Sequence, residues 1–140
     1  MTLELWARLL PALIYVESRG NPAAMSSDGG AVGVLQVRRI CVEDVNRHYG
    51  LALRWPDDFL PATNPHGAAG AAWVSETTAI RYLCLRAGED ASAETWARTW
   101  KAGRRGCRLG RGKAYWRDVR AAMMNAPLHF PTEAERKEVK

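Results

Sequence analysis

Apolar residues recur at helical spacing along most of this chain, and the first such run covers residues 2–18, where Leu10, Leu13 and Ile14 precede Glu17 by seven, four and three positions. That spacing places Glu17 on the apolar stripe of the helix. Pro11 interrupts the run; lacking an amide donor, it is expected to kink or divide the helix, or to start the part that carries Glu17. Residues 20–33 (GNPAAMSSDGGAVG) are a loop by composition. Val34, Val37, Cys41, Val45 and Tyr49 then keep helical spacing and predict a second helix over 34–49. Three prolines, Pro56, Pro61 and Pro65, make 50–66 an irregular connection. Further helices are predicted over 67–87, 91–101 and 114–125, the last after a Gly- and Arg-rich turn. The pattern shows no repeats and no convincing β-hairpin signal. The expected fold is all-α, a single domain over 1–126 followed by a charged, solvated tail over 127–140.

A length of 140 residues with 47% apolar composition is enough for one sizeable core. Six tryptophans, at 6, 55, 73, 96, 100 and 116, are many for this length; core packing is expected to claim at least half, and the remaining indole faces suit sugars or other flat apolar surfaces. The net charge of +5 favours an anionic partner: nucleic acid, an anionic lipid face or bacterial wall polymer. Cys41, Cys84 and Cys107 form neither a disulfide framework nor a zinc motif, and His48, His66 and His129 are equally scattered, so no metal or other cofactor is expected. Glu4 stands where a secretory signal carries positive charge, and Arg8 and Pro11 break the apolar stretch, so no signal peptide and no membrane insertion are expected. The expected product is a soluble monomer that starts in the cytoplasm.

Glu17 is the chemically informative residue. Its helix ends almost at once, at Gly20-Asn21-Pro22, so its carboxyl faces the negative end of the backbone dipole as well as an apolar face. Both effects disfavour the charged form and move the pKa toward the range of a general acid. The other reading is a partly exposed glutamate at a frayed helix end.

Val16-Glu17-Ser18 followed by Gly33-Val34-Leu35-Gln36 resembles the "ES" and "GLMQ" signatures of lytic transglycosylases. Trp96 to Gly103 occupies the place of that family's helix and "YNxG" segment, and Tyr115-Trp116-Arg117-Asp118-Val119 is similar to its closing motif. Four ordered motifs over residues 10–120 thus resemble the lytic transglycosylase and goose-type lysozyme superfamily, most closely the compact forms carried by bacteriophages or prophages. The resemblance implies a lysozyme-like domain with a glycan-binding cleft, acting on peptidoglycan strands between N-acetylmuramic acid and N-acetylglucosamine. The resemblance implies a phage-type, endolysin-like enzyme, which would reach the wall through a holin pore or with the virion.

The resemblance assigns the general acid to Glu17. It makes Gln36 a hydrogen-bonding group for sugar amides, against a plain helix-surface glutamine. Ser18 becomes a substrate-side or Glu-orienting hydroxyl, against a serine bonding its own backbone. Tyr115 places a phenol near Glu17, against ordinary packing. Trp100 stands for the motif aromatic and stacks on a sugar. Lys101 replaces the motif asparagine and cannot accept a hydrogen bond; it either pairs with Glu17 or reaches a stem-peptide carboxylate. Leu35 replaces methionine at similar volume.

Three other readings stay open. Asp28 lies in the loop between helix and "GLMQ"-like segment, where it would hold a water for hydrolysis and make the protein a muramidase; Gly29-Gly30 after it reads equally as an Asp-Gly turn. The stretch 101–113, KAGRRGCRLGRGK, sets six basic side chains among four glycines and would suit a nucleic-acid binder, although no aromatic is interleaved within it. An inactive wall-binding protein is the third reading.

Overall fold

In the computed structural model, which describes residues 1–125 and 127–138, the chain is mainly α-helical, as the pattern predicts. Helix α1 (Leu3–Ser18) is started by Thr2, whose hydroxyl accepts from the Leu5 amide at 3.1 Å. It runs through Pro11 as one element, so Pro11 neither divides nor starts it. Leu9, Ala12 and Leu13 are fully buried on its inner face.

The second predicted helix begins later than its apolar spacing indicates. Helix α2 spans Arg39–Tyr49, and a two-residue hairpin precedes it, with β1 (Ala31–Val32) antiparallel to β2 (Val37–Arg38) and Ala31 opposite Arg38. Val34 and Val37 are buried as the spacing demands, but a tight turn delivers them, with Gln36 at φ 52°. A turn of four residues reproduces the i, i+3 interval of a helix.

A 3-10 turn at Asp57–Phe59 leads to α3 (Gly67–Arg86), the long central helix. Helix α4 (Ala93–Arg108) extends through the stretch expected to be a turn, with one non-helical residue, Gly103 (φ 74°, ψ 169°), that kinks it. Helix α5 (Lys113–Met124) packs along α1, and α6 (Glu133–Glu138) has no buried residue. Within the segment after α5, Leu128 packs against the core and the Phe130 ring meets that of Tyr15 edge-on at 6.0 Å.

The core gathers α1, the hairpin loop, α3, α4 and α5 around Leu9, Leu13, Leu35, Phe59, Leu83 and Trp96. Trp6 meets Trp96 edge to face at 5.5 Å. Those two indoles are buried, whereas Trp55, Trp100 and Trp116 are half-buried and Trp73 is exposed. Arg86 grips Asp44 with two hydrogen bonds, one at 2.7 Å, and locks α3 to α2. No helix among the described residues is long and apolar enough to cross a membrane, and none of their His, Cys, Asp and Glu side chains gather into a metal-binding group.

Candidate active site

The end of α1 sets the site. Arg19 turns into the left-handed region (φ 54°) and its amide closes on the Tyr15 carbonyl, so the helix stops one residue after Ser18. Glu17 thereby sits in the last turn, among backbone carbonyls that lack amide partners.

The loop 33–36 is bound against this helix end by side chains that the sequence marks as motif residues. Ser18 donates its hydroxyl to the Val34 carbonyl at 2.7 Å and accepts from the Gly20 amide at 3.2 Å. Its hydroxyl is thus bonded to backbone and does not face Glu17. Gln36 directs its amide nitrogen to the carbonyls of Ala24 (3.1 Å) and Gly33 (3.0 Å). From across the cleft, the Trp100 indole donates to the Leu35 carbonyl at 3.2 Å. Gly33 (φ 81°) permits the close approach: a Cβ there would lie 2.8 Å from the Phe59 carbonyl oxygen.

A cleft of about 640 Å³ opens beside this loop, and Glu17, Gln36, Trp100 and Lys101 all line it. Tyr115, buried in the first turn of α5, donates its hydroxyl to Glu17 Oε1 at 2.7 Å. Oε2 has no hydrogen bond among the described residues. Burial raises the Glu17 pKa above its ordinary value, and this outweighs the lowering by the Tyr115 hydrogen bond and by the charges of Lys101 and Arg38. Burial and the Glu17 carboxyl in turn push the Tyr115 phenol up, so it stays a donor. Lys101 Nζ lies 5.6 Å from the centre of the Tyr115 ring and forms no ion pair among the described residues. The free valences facing the cleft are therefore Glu17 Oε2, the Gln36 carboxamide oxygen, the Lys101 ammonium and the half-buried Trp100 ring.

Asp28 does not line the cleft. Its Oδ1 accepts from the Ser26 hydroxyl (2.6 Å) and the Gly30 amide (2.9 Å), and Arg38 stands 3.7 Å from Oδ2. Those contacts, Ser26 first, hold its carboxyl below the usual range and make it the staple of an exposed turn.

Six cleft residues carry no sequence motif: Ser26, Ala31, Arg38, Ile40, Cys41 and Tyr82. Arg38 alone had a visible cue, as a cation directly after the Gly33–Val37 segment. Ile40 is 72% exposed, an apolar side chain presented to the cleft rather than the core, and only its break with the predicted helical stripe could have marked it.

No curated protein and no solved structure matches the chain. The family described as Transglycosylase SLT domain matches residues 2–76, a span that contains Glu17, the whole 33–36 loop and the front of α3. With a lysozyme-like arrangement of helices and a carboxyl buried in the wall of a cleft, the chain belongs to the transglycosylase SLT domain family, whose activity is directed at peptidoglycan.

Proposed function

We propose that this protein is a peptidoglycan lytic transglycosylase that cleaves the β-1,4 bond between N-acetylmuramic acid and N-acetylglucosamine, with Glu17 as its single acid and base. The observation that carries the reading is the Glu17 carboxyl itself: raised in pKa by burial, held at Oε1 by Tyr115, and open at Oε2 toward the cleft.

In the reaction, protonated Glu17 gives its proton to the glycosidic oxygen as the bond to the muramic C1 breaks. The leaving sugar departs as an alcohol. The resulting Glu17 carboxylate removes the proton of the C6 hydroxyl of the same muramic residue, whose oxygen closes on C1 to form the 1,6-anhydro ring. Glu17 ends protonated, ready for the next bond. Because nucleophile and electrophile belong to one sugar, a large effective concentration replaces a second carboxylate. Tyr115 keeps the carboxyl oriented and compensates part of the charge that develops on it. Lys101 and Arg38 act on the same charge from the cleft wall. The Gln36 carboxamide oxygen is an acceptor for an acetamido N–H of the sugar, and Trp100 presents a face to the ring. Asp28, held in its own turn, supplies no water-activating base in this scheme.

The test is digestion of purified peptidoglycan by wild type and Glu17→Gln, with products read by mass spectrometry. Wild type is expected to release anhydro-muropeptides, and the variant to release none. Products one water heavier would establish a hydrolase instead. A wild type that releases nothing from several wall types would remove the catalytic reading. The phage-type origin and route to the wall belong to the same proposal and rest on the motif resemblance.

A further inference from the structure

A second site lies on the side of α4 away from the cleft. There an open pocket of about 250 Å³ lies between the C-terminal turn of α3 and both segments of α4. Thr95 and Thr99, one helical turn apart, come from the first segment of α4. Arg104 and Arg108, again one turn apart, come from the second. In a straight helix these pairs would diverge; the kink at Gly103 turns the second segment so that both face one cavity.

Thr95 accepts from the Ser92 hydroxyl at 3.1 Å, but other polar groups in the cavity have no partner among the described residues. Thr99 is only 1% exposed, lines the cavity, and its hydroxyl makes no hydrogen bond among the described residues. Arg104 and Arg108 are exposed and form no ion pair there, although two like charges at i, i+4 repel each other. Arg86, the remaining cation, is already neutralised by Asp44. Leu85, Arg86 and Ala87 line the cavity from the end of α3, and their carbonyls receive no backbone amide among the described residues. The site therefore offers two guanidinium groups to an anion, one buried hydroxyl, and a row of acceptors for hydroxyl donors.

The turn behind it is rigid. Arg98 directs its guanidinium inward, donating to the carbonyls of Arg111 (2.9 Å) and Cys107 (3.0 Å), which fixes residues 107–111. From that turn a ridge of further exposed cations continues: Arg105, Arg111, Lys113, Arg117 and Arg120, none of them in an ion pair among the described residues. Asp118 is the acidic side chain interspersed among them, and Glu94 nearby is engaged by Arg98 at 3.5 Å.

We propose that the Arg104–Arg108–Thr99 cavity is a binding site for a phosphorylated polyol unit, and that the ridge beyond it holds successive phosphodiesters of an anionic polyol-phosphate polymer. Guanidinium pairs match phosphate bidentately, and the α3 carbonyls match the polyol hydroxyls, which a bare inorganic anion lacks. Nucleic acid is the poorer fit, since the ridge carries no exposed aromatic on which bases would stack. Arg104 of this cavity follows Gly103 of the cleft lip directly in the chain, so the two sites are joined through the kink of α4.

The experiment titrates the wild-type protein with fluorescent poly(glycerol phosphate), with single-stranded DNA of equal charge, and with glycerol 3-phosphate by calorimetry. None of these contains the wall's glycosidic bond, so the result is independent of the lytic reading. Arg104→Gln/Arg108→Gln is expected to weaken glycerol 3-phosphate and polymer binding about tenfold or more, and Thr99→Val to weaken glycerol 3-phosphate several-fold. Arg117→Gln/Arg120→Gln should weaken the polymer and leave glycerol 3-phosphate unchanged. Melting curves verify that each variant is folded, and the fully exposed arginines keep the test available if Thr99→Val is not. DNA binding as tight as the polymer's would overturn the proposal in favour of a nucleic-acid surface; polymer binding unaffected by the Arg104/Arg108 double variant would remove the site altogether.

Discussion

Glu17 is held where its charged form is disfavoured, and its neighbours set by how much. Since its folded pKa is raised above the ordinary 4.5, the proton is bound more tightly in the folded chain. Stability from this group is full below about pH 4.5 and is lost as pH rises through the raised value. Glu17→Gln, which is neutral at every pH, should then melt about 2 to 5 °C above wild type at pH 7 and close to it at pH 4. A calorimetric pair at the two pH values checks this, and equal shifts at both would deny that burial governs the group. Tyr115→Phe removes a bond that favours the carboxylate, so the alkaline limb of the pH–activity profile should move upward. The loss of orientation should lower turnover about tenfold at the optimum. Lys101→Asn removes an attractive charge without touching that bond; it should move the same limb upward with a smaller loss of rate. Were the limb to stay fixed in both variants, another group would be limiting the profile.

The 33–36 loop depends on one backbone position more than on any side chain. At Gly33 a Cβ would sit 2.8 Å from the Phe59 carbonyl oxygen and 3.1 Å from Ser75 Oγ, at φ 81°. Gly50 has a similar φ, 65°, with nothing within 4 Å of the same construction. Gly50→Ala should therefore cost only the left-handed strain, about 1 kcal/mol, while Gly33→Ala adds a clash against backbone and should cost about 3 kcal/mol or more in urea melts. Comparable losses would mean that the loop shifts easily. The same loop marks the limit of what the chain's pattern discloses. Helices α1, α3 and α5 are legible because each buries a stripe at helical spacing over about two turns or more. The hairpin of Ala31–Val32 with Val37–Arg38 is not, since two-residue strands are too short to express a period of two. Val34 and Val37 then lend their spacing to a helix that starts only at Arg39. Residues 101–108 err the other way: glycines suggest a turn, yet only Gly103 leaves helical geometry, and Gly106 continues the helix as a buried residue close to Ala102. Motif order brought Glu17, Gln36, Trp100, Lys101 and Tyr115 to notice, but not the division of labour among their atoms. That Ser18, Gln36 and Trp100 bond loop carbonyls follows from tertiary approach, which no spacing along the chain encodes.

At the scale of the whole molecule, the segment after α5 bears on the site despite its charged composition. Phe130 lies over Gly20 and edge-on to Tyr15, Arg19 stacks on the other part of that ring at 3.9 Å, and Leu128 joins the core. The terminus of α1 that carries Glu17 is thus covered from behind by residues 128–130. Helix α6, beyond it, buries nothing. Removing 127–140 should take away the apolar contacts of Leu128 and Phe130 and uncover Tyr15, a loss of about 2 kcal/mol before the recovered chain entropy is counted and about 1 kcal/mol after it. A melting point about 3 °C lower is expected, with Phe130→Ala giving roughly half of that shift. Breaking the exposed Glu133–Lys137 pair should leave melting unchanged. If apolar cover is what matters, amide exchange in the Tyr15–Ser18 turn should quicken in the truncated chain and in Phe130→Ala alike, and not in the ion-pair variant. Exchange unchanged in all three would make the segment a passenger on the fold, and the geometry at Glu17 would then rest on Ser18, the 33–36 loop and Tyr115 alone.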